Sequence, residues 1–162
     1  MTEVPEIFPV HLAINGQAIW LGWMSSDSGD CFVANANRIV WSSTCPGLWS
    51  AIDAVRTVYQ RGEPSFFNVD LALEHLRHDR IGDVELLMNV WNLLTDFHNT
   101  GGRRARLFHE RHFDTYQTLF ANCEVADWVG VEHQDVELTQ VRSARVVIED
   151  GVAMILSATV NG

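Results

Sequence analysis

The sequence predicts an α+β fold formed by a single domain over residues 1–162. We expect a mostly antiparallel sheet built from N-terminal and C-terminal hairpins, with a central block of three to four helices packed on one face. Turn-forming pairs separate apolar runs near both ends of the chain, and apolar residues recur at helical spacing in the middle. The resulting order of strands, helices and strands is typical of α+β proteins.

The N-terminal segment HLAINGQAIWLGW predicts a hairpin that turns at Asn15–Gly16. An Asn-Gly pair between two apolar runs favours a type I′ turn, because both residues tolerate the positive φ angles that this turn requires. A polar loop, SSDSGD at 25–30, follows the hairpin. The next segment, CFVANANRIVWS, predicts a second hairpin that turns near Ala36–Asn37.

Three helices are predicted in the middle of the chain. The first follows Pro46 and is stopped by Gly62 and Pro64, which interrupt the helical pattern. Its apolar positions are Leu48, Ile52, Val55 and Tyr59. Asn68 can cap a short second helix, and Asp83 can cap a third helix that ends at Gly101–Gly102. The apolar positions of the second helix are Ala72, Leu73 and Leu76.

The segment GGRRARLFHERHF at 101–113 fits either a helix or a strand. A helix through most of 105–122 is the favoured interpretation, because apolar residues and histidines then share one face. Asp114 with Gln117 resembles a capping box, which supports a helix that starts only after Asp114. Whether 103–113 is helix or strand stays open from the sequence.

The C-terminal segment RSARVVIEDGVAMILSATV predicts a return to strand structure. Asp150–Gly151 lies between runs of β-branched residues, which is a hairpin signal of the same kind as Asn15–Gly16. A further strand is predicted near 134–141. Both terminal hairpins are then expected to join one sheet.

The charge of the chain constrains its function. The formal net charge is −10, and all 11 basic residues are arginines. The absence of lysine excludes a P-loop lysine and any Schiff-base mechanism. The negative field opposes binding to nucleic acid or to an anionic membrane and favours a basic protein partner. The N-terminus has no signal-peptide pattern, and no apolar run is long enough to span a bilayer, so we expect a cytoplasmic protein with no membrane contact.

Local motifs for catalysis, cofactors or metals are missing, so no catalytic residue, cofactor or metal is predicted. Three widely spaced cysteines form no CxxC motif, and there is no GxSxG, GxGxxG or EF-hand pattern. The pairs His75/His78 and His109/His112 have a spacing of three, which differs from that of the HExxH zinc motif. Whether either pair has a role stays open, as does a cysteine–histidine site assembled only in space.

The third predicted helix carries one narrow polar stripe on an otherwise apolar surface. Its members lie three to four positions apart and are Glu85, Asn89, Asn92 and Asp96. Such a stripe is either the one hydrated face of a buried helix or the lining of a cleft that binds a polar ligand. Glu85 and Asp96 are too far apart along a helix to act together as an acid–base pair.

Two tryptophans on the second strand point to a partner surface. Trp20 and Trp23 are three residues apart, so they project from opposite faces of the strand. If the helices cover one face only, either the sheet encloses a second small core or one of these rings is exposed. The candidate partner interface combines this strand with the acidic loop and comprises Trp20, Met24, Asp27 and Asp30.

The favoured functional hypothesis is an acidic protein-binding module, such as a bacterial inhibitor or immunity protein that occludes the active site of a basic enzyme or toxin. Electrostatic steering would accelerate its association with a cationic partner. The alternative is a small enzyme or ligand-binding domain that uses the polar stripe Glu85, Asn89, Asn92 and Asp96. A third hypothesis is a structural subunit or homodimer that pairs through an exposed sheet face or edge.

Overall fold

The computed structural model describes residues 4–25, 29–101, 112–124 and 128–160. The strands are β1 (Glu6–Ile14), β2 (Gln17–Met24), β3 (Cys31–Phe32), β4 (Ala34–Asn35), β5 (Arg38–Ile39), β6 (Trp41–Ser42), β7 (Gln60–Arg61) and β8 (Ser65–Asn68). The helices within these ranges are α1 (Cys45–Asp53), α2 (Val69–Arg77), α3 (Val84–Thr100), α4 (Phe113–Phe120) and α5 (Leu138–Val160). The chain therefore combines helices with a mainly antiparallel sheet, as the sequence predicts.

Both N-terminal hairpins are confirmed. β1 and β2 pair antiparallel, and the turn residues Asn15 and Gly16 have φ angles of 51° and 70°. The carboxylate of Asp70, in the first turn of α2, accepts hydrogen bonds from the backbone N–H of Asn15 at 2.7 Å and of Gly16 at 2.9 Å. The smaller hairpin joins β4 to β5 through Ala36 and Asn37, which both have positive φ angles.

The centre of the sheet is β1 paired with β2. β3 and β6 extend it antiparallel to β2, whereas β7 and β8 pair parallel to β1. These two parallel strands are not predicted from the sequence. Asn68 ends β8 and also caps α2, because its side-chain oxygen accepts a hydrogen bond from the N–H of Leu71. The cap of α3 by Asp83 is likewise confirmed, and α3 ends at Gly101 as predicted.

The helices lie on both faces of the sheet, which differs from the predicted single face. The main core joins α2, α3 and α5 to the side of the sheet that carries Val10 and Leu12. The opposite side packs against α1, where Ile7 and Ile52 belong to a second, smaller core. Gly22 makes this approach possible, since an added Cβ would lie 2.8 Å from Ile52 Cδ1.

The predicted C-terminal hairpin is wrong, because this part of the chain forms the 23-residue helix α5. The predicted strand near 134–141 is also absent, as 131–137 have no regular structure and 138–141 begin α5. Buried residues of α5 recur every three to four positions, at Val141, Ala144, Ile148, Val152 and Ile155. This period packs one helix face into the core, and that burial overrides the strand preference of β-branched residues.

Gly151 is therefore a packing position of a helix and has no role in a turn. An added Cβ at Gly151 would lie 2.5 Å from Leu94 Cδ1 on α3. The absence of a side chain lets α5 approach α3 closely. Glycine occurs both in tight turns and where two helices pack closely, and the sequence does not distinguish these two roles. Asp150–Gly151 therefore resembles a turn signal although Gly151 is a packing position.

Two helix boundaries also differ from expectation. α1 ends at Asp53, well before Tyr59, while α4 begins at Phe113, so Asp114 lies within its first turn and does not precede the helix. No side chain caps α4 at His112. The question of helix or strand over 102–111 concerns residues outside the described ranges.

Candidate functional site

A cleft of about 340 Å³ lies between the sheet and the polar stripe of α3. It is lined by Phe8, Val10, Trp23, Asp30, Ser65, Phe67, Asn89, Asn92, Leu93 and Asp96. Its volume falls in the range of small-molecule and side-chain pockets, roughly 300–1,000 Å³. The lining combines aromatic rings with carboxylates and amides, which is typical of sites that bind polar or charged groups.

Strand pairing places the aromatic side of this cleft. Phe8 on β1 is directly opposite Trp23 on β2, and their ring centroids are 5.8 Å apart. β8 adds Phe67 from the other side of β1, where it pairs with Leu12. Gly62 leaves room for the Phe8 ring, since an added Cβ would lie 2.4 Å from Phe8 Cδ1.

Hydrogen bonds hold the C-terminal part of α3 against β3. The backbone N–H of Phe32 donates to Thr100 Oγ1 at 2.8 Å, and the same hydroxyl donates to the backbone oxygen of Asp96 at 2.8 Å. Helical spacing then brings Asn89, Asn92 and Asp96 to the cleft together. Of the four predicted stripe residues, these three line the cleft.

The surroundings of Asp96 in the cleft change the pKa of its carboxyl group. Its Oδ2 accepts a hydrogen bond from Trp23 Nε1 at 3.1 Å. Burial raises the pKa of the Asp96 carboxyl above its usual value, and the nearby charge of Asp30 raises it further. The hydrogen bond from Trp23 opposes this shift, because it stabilises the ionised form.

The two carboxylates of the cleft belong to Asp30 and Asp96, and neither forms an ion pair with a basic residue in the part of the chain that the structure describes. The ion pairs found there involve other acidic groups, namely Asp53, Asp79 and Glu149. Asp30 and Asp96 therefore place two negative groups at an aromatic cleft with no internal counter-ion among the described residues. Asp96 is half-buried, whereas Asp30 is exposed. A partly buried carboxylate with no counter-ion among the described residues is unfavourable for folding, and such groups cluster at functional sites.

The two amides of the cleft differ in their freedom to bind a ligand. Asn92 Oδ1 accepts a hydrogen bond from Tyr116 Oη at 3.0 Å, which fixes the amide and leaves its NH₂ group as the donor. The exposed Asn89 makes no side-chain hydrogen bond to any other described residue. Asn89 can therefore offer both an acceptor and a donor to a bound group.

The remaining predicted site residues lie elsewhere. Glu85 is outside the cleft, where its Oε1 accepts a hydrogen bond from the backbone N–H of Glu124 at 2.5 Å. Trp20 and Met24 pack on the second core, on the face of the sheet opposite the cleft. Of the candidate partner interface, only Asp30 lines the cleft, and Asp27 lies outside the described residues.

Sequence reasoning missed the aromatic half of the site. Trp23 was recognised only as the opposite-face neighbour of Trp20, and Phe67 lies on β8, a strand that was not predicted. For Trp23, two patterns considered together could have predicted this position: the alternation of side chains along β2 and the polar stripe on α3. Once Trp23 faces the main core, it must meet the helix that packs there, and α3 presents its polar side at that edge.

The cysteines give no support for nucleophilic catalysis. All three are free. Burial raises the pKa of the Cys123 thiol to about 11, and the charge of Glu85 adds to the shift. Burial also raises the pKa of Cys31, although the charge of Arg56 opposes it. A thiol with a raised pKa is protonated at neutral pH and is a poor nucleophile.

A second, more apolar pocket of about 660 Å³ lies beside α4. Its walls include Phe113, Phe120 and Val131, and among the described residues that line it Asp114 is the charged one. Within the described residues no group of three or more histidines, cysteines or acids is placed to hold a metal ion. In the same part of the chain, no helix has the length and apolarity to cross a bilayer.

Comparisons with protein-family models, with curated proteins and with solved structures give no match.

Proposed function

We propose that this chain is an acidic protein-binding module whose partner is a basic protein. In its specific form, the proposal is a bacterial, cytoplasmic inhibitor or immunity protein that occludes the active site of a basic enzyme or toxin. The cleft between the sheet and α3 is the centre of the binding surface. Asp30 and Asp96 supply its charge, and Phe8, Trp23 and Phe67 supply its apolar area.

The observation that carries the proposal is a pair of carboxylates in an aromatic cleft, neither of which has a counter-ion among the described residues. Asp96 is half-buried and its pKa is raised, so the fold is less stable with this charge than with a neutral side chain. Binding of a cation would supply a counter-charge to both carboxylates and offset the repulsion between Asp30 and Asp96. A site that is unfavourable for the free protein and favourable for the complex is typical of a binding surface.

The charge of the whole chain supports the same partner. A net charge of −10 attracts a basic protein over distances beyond direct contact. Electrostatic steering of this kind raises association rates by about 10- to 1,000-fold over the neutral case. The effect decreases with ionic strength, because salt screens exposed charges beyond a Debye length.

The test begins with capture of a partner from the native organism, followed by stopped-flow measurement of the association rate at increasing salt. We expect a basic protein whose association rate falls by about tenfold or more between low and high salt, as for steered complexes. The captured partner's enzymatic activity is assayed with and without this chain, and we expect it to be inhibited. A partner that is acidic, or an association rate independent of salt, would contradict the proposal.

A specific observation also favours a ligand-binding domain as the second candidate. The three stripe residues that line the cleft offer carboxylate and amide groups to a small polar molecule. A small molecule that raises the melting temperature of the parent, and fails to do so for Asp96→Asn, would favour this candidate over a protein partner.

A further inference from the structure

We propose that the cleft binds the guanidinium group of one arginine side chain, presented by the protein partner. The inference rests on the proposed function and deepens it, because it names the chemical group that enters the site. Three features of the cleft favour this occupant: its negative charge, the orientation of its aromatic walls, and acceptors that make no hydrogen bond to another described residue.

The acceptors of the cleft suit a donor with several N–H groups. Trp23 Nε1 donates to Asp96 Oδ2, and no other described residue donates to Oδ1 of the same carboxylate, so Oδ1 can accept from a bound group. Asp30 adds a second carboxylate with no ion pair among the described residues, and the Asn89 amide adds a neutral acceptor. A guanidinium has five N–H donors in one plane and no acceptor, so it can serve acceptors on several sides.

The aromatic walls favour a flat cation over a compact one. The Phe8 and Trp23 rings meet at an interplanar angle of 54°, and Phe67 lines the same cleft from β8. Guanidinium stacks on aromatic faces and is more weakly hydrated than an ammonium, so it loses less hydration free energy on entering the cleft. The lysine ammonium is a strongly hydrated point charge that cannot stack in this way. The site is therefore expected to prefer arginine to lysine.

The charged group is already oriented for this role. The indole hydrogen bond fixes one oxygen of Asp96, while Thr100 ties the backbone of the same residue to β3. Side chains held in the binding geometry before the partner arrives avoid the entropic cost of ordering on association. This preorganisation adds to affinity without any new contact.

The test uses the Trp23 indole as a reporter. The chain has six tryptophans, so its ¹⁵N-labelled form gives at most six indole N–H signals, and Trp23→Phe identifies the one that belongs to the cleft. N-acetyl-arginine amide is titrated against N-acetyl-citrulline amide, its neutral isostere, and against N-acetyl-lysine amide with a free side-chain ammonium. We expect a saturable shift of the Trp23 signal with a dissociation constant on the order of millimolar for the arginine probe. We expect binding at least about tenfold weaker for both other probes.

Asp30→Asn/Asp96→Asn is the matched variant, since both substitutions preserve shape and remove the charge. It is expected to lose the arginine-induced shift, and circular dichroism checks that it folds. If the double variant fails to fold, Asp30→Asn alone replaces it. An unchanged Trp23 signal, or equal shifts with arginine and citrulline probes, would overturn the inference.

The failure of this inference differs from that of the proposed function. If the captured partner binds the double variant as tightly as the parent, the inference fails while the binding function stands. If the arginine probe shifts Trp23 and association with the partner shows no salt dependence, the steering account fails while the arginine site stands.

Discussion

Asp96 links the stability of the fold to its proposed binding role. Asp96→Asn removes a half-buried charge and keeps an oxygen that can accept from Trp23 Nε1. Because burial raises the native pKa of Asp96, the native state binds this proton more readily than the unfolded chain does. The parent therefore loses stability as pH rises through the native pKa, and the variant lacks this loss.

We expect Asp96→Asn to be at least as stable as the parent at neutral pH, with the difference shrinking as pH falls toward about 4, the unfolded pKa of aspartate. Urea unfolding at a series of pH values measures this. Asp135→Asn, at an exposed position, is the control and should stay within about 0.5 kcal/mol of the parent. A variant that is less stable at neutral pH by a margin independent of pH would contradict the account.

Asp70 is a second residue with a defined structural task. Its carboxylate receives two backbone N–H groups from the β1–β2 turn and so joins that turn to the start of α2. Removing the acceptor leaves both turn N–H groups to solvent and removes the link between the turn and α2. We expect Asp70→Ala to lower the free energy of unfolding by about 1.5–3 kcal/mol, the range for hydrogen bonds to a charged group.

Chemical unfolding at neutral pH compares Asp70→Ala with Asp135→Ala, a control with no hydrogen bond to its side chain among the described residues. Equal stability of both variants would show that the turn does not depend on Asp70.

At the scale of elements, the C-terminal helix depends on the close approach of Gly151 to Leu94. Gly151→Ala introduces a methyl group 2.5 Å from Leu94 Cδ1, and overpacking of this kind costs about 1–3 kcal/mol. The gain of about 1 kcal/mol in helix propensity for alanine over glycine opposes part of that loss. We expect a net destabilisation in the parent.

The same substitution has the opposite expected effect once the obstructing side chain is removed. In a Leu94→Ala background the clash disappears, so Gly151→Ala should be neutral or stabilising. A double-mutant cycle by thermal unfolding measures the coupling. Equal destabilisation by Gly151→Ala in both backgrounds would contradict the close contact between Gly151 on α5 and Leu94 on α3.

The elements show which sequence signals carry structural information. Asn15–Gly16 predicts its hairpin correctly because both residues must take positive φ, a demand that the local sequence alone meets. Asp150–Gly151 predicts a hairpin that does not form, because its glycine is required by packing against Leu94, a residue far away in sequence. Caps at Asn68 and Asp83 are local and are predicted well, whereas the parallel strands β7 and β8 depend on long-range pairing with β1.

The helix side of the cleft can be predicted from the sequence because it depends on local periodicity, whereas the strand side depends on long-range pairing. Helical periodicity groups Asn89, Asn92 and Asp96 on one stripe, and all three line the cleft. The stripe alone does not predict which residues lie opposite it, because these depend on how α3 packs against the sheet. Trp23 and Phe67 enter the site through strand pairing, which a single sequence does not reveal.

At the scale of the whole molecule, two separate cores stabilise the two faces of one sheet. Trp20 belongs to the second face, where its ring lies 4.9 Å from the ring of His11 and 5.6 Å from that of Phe66. The cleft lies on the first face with Asp30 and Asp96. The proposed binding surface lies on the α3 side, and on the other side the Trp20 ring packs against His11 and Phe66.

The net charge of −10 acts over the whole molecule, whereas Asp30 and Asp96 act at one place. Two double variants separate these contributions, because each removes two negative charges. Asp30→Asn/Asp96→Asn neutralises the cleft, and Glu132→Gln/Asp135→Asn neutralises exposed residues that do not line it. Long-range steering is reduced by a similar amount in both.

The most direct test is the dissociation constant of the captured basic partner for the parent and for these two variants. The account predicts that the cleft variant loses at least about 2 kcal/mol of binding free energy, roughly 30-fold in affinity, because a desolvated charge pair is broken. The control variant should change affinity by less than about threefold, since exposed charges contribute little. Equal losses in the two variants would contradict the claim that the cleft is the binding site.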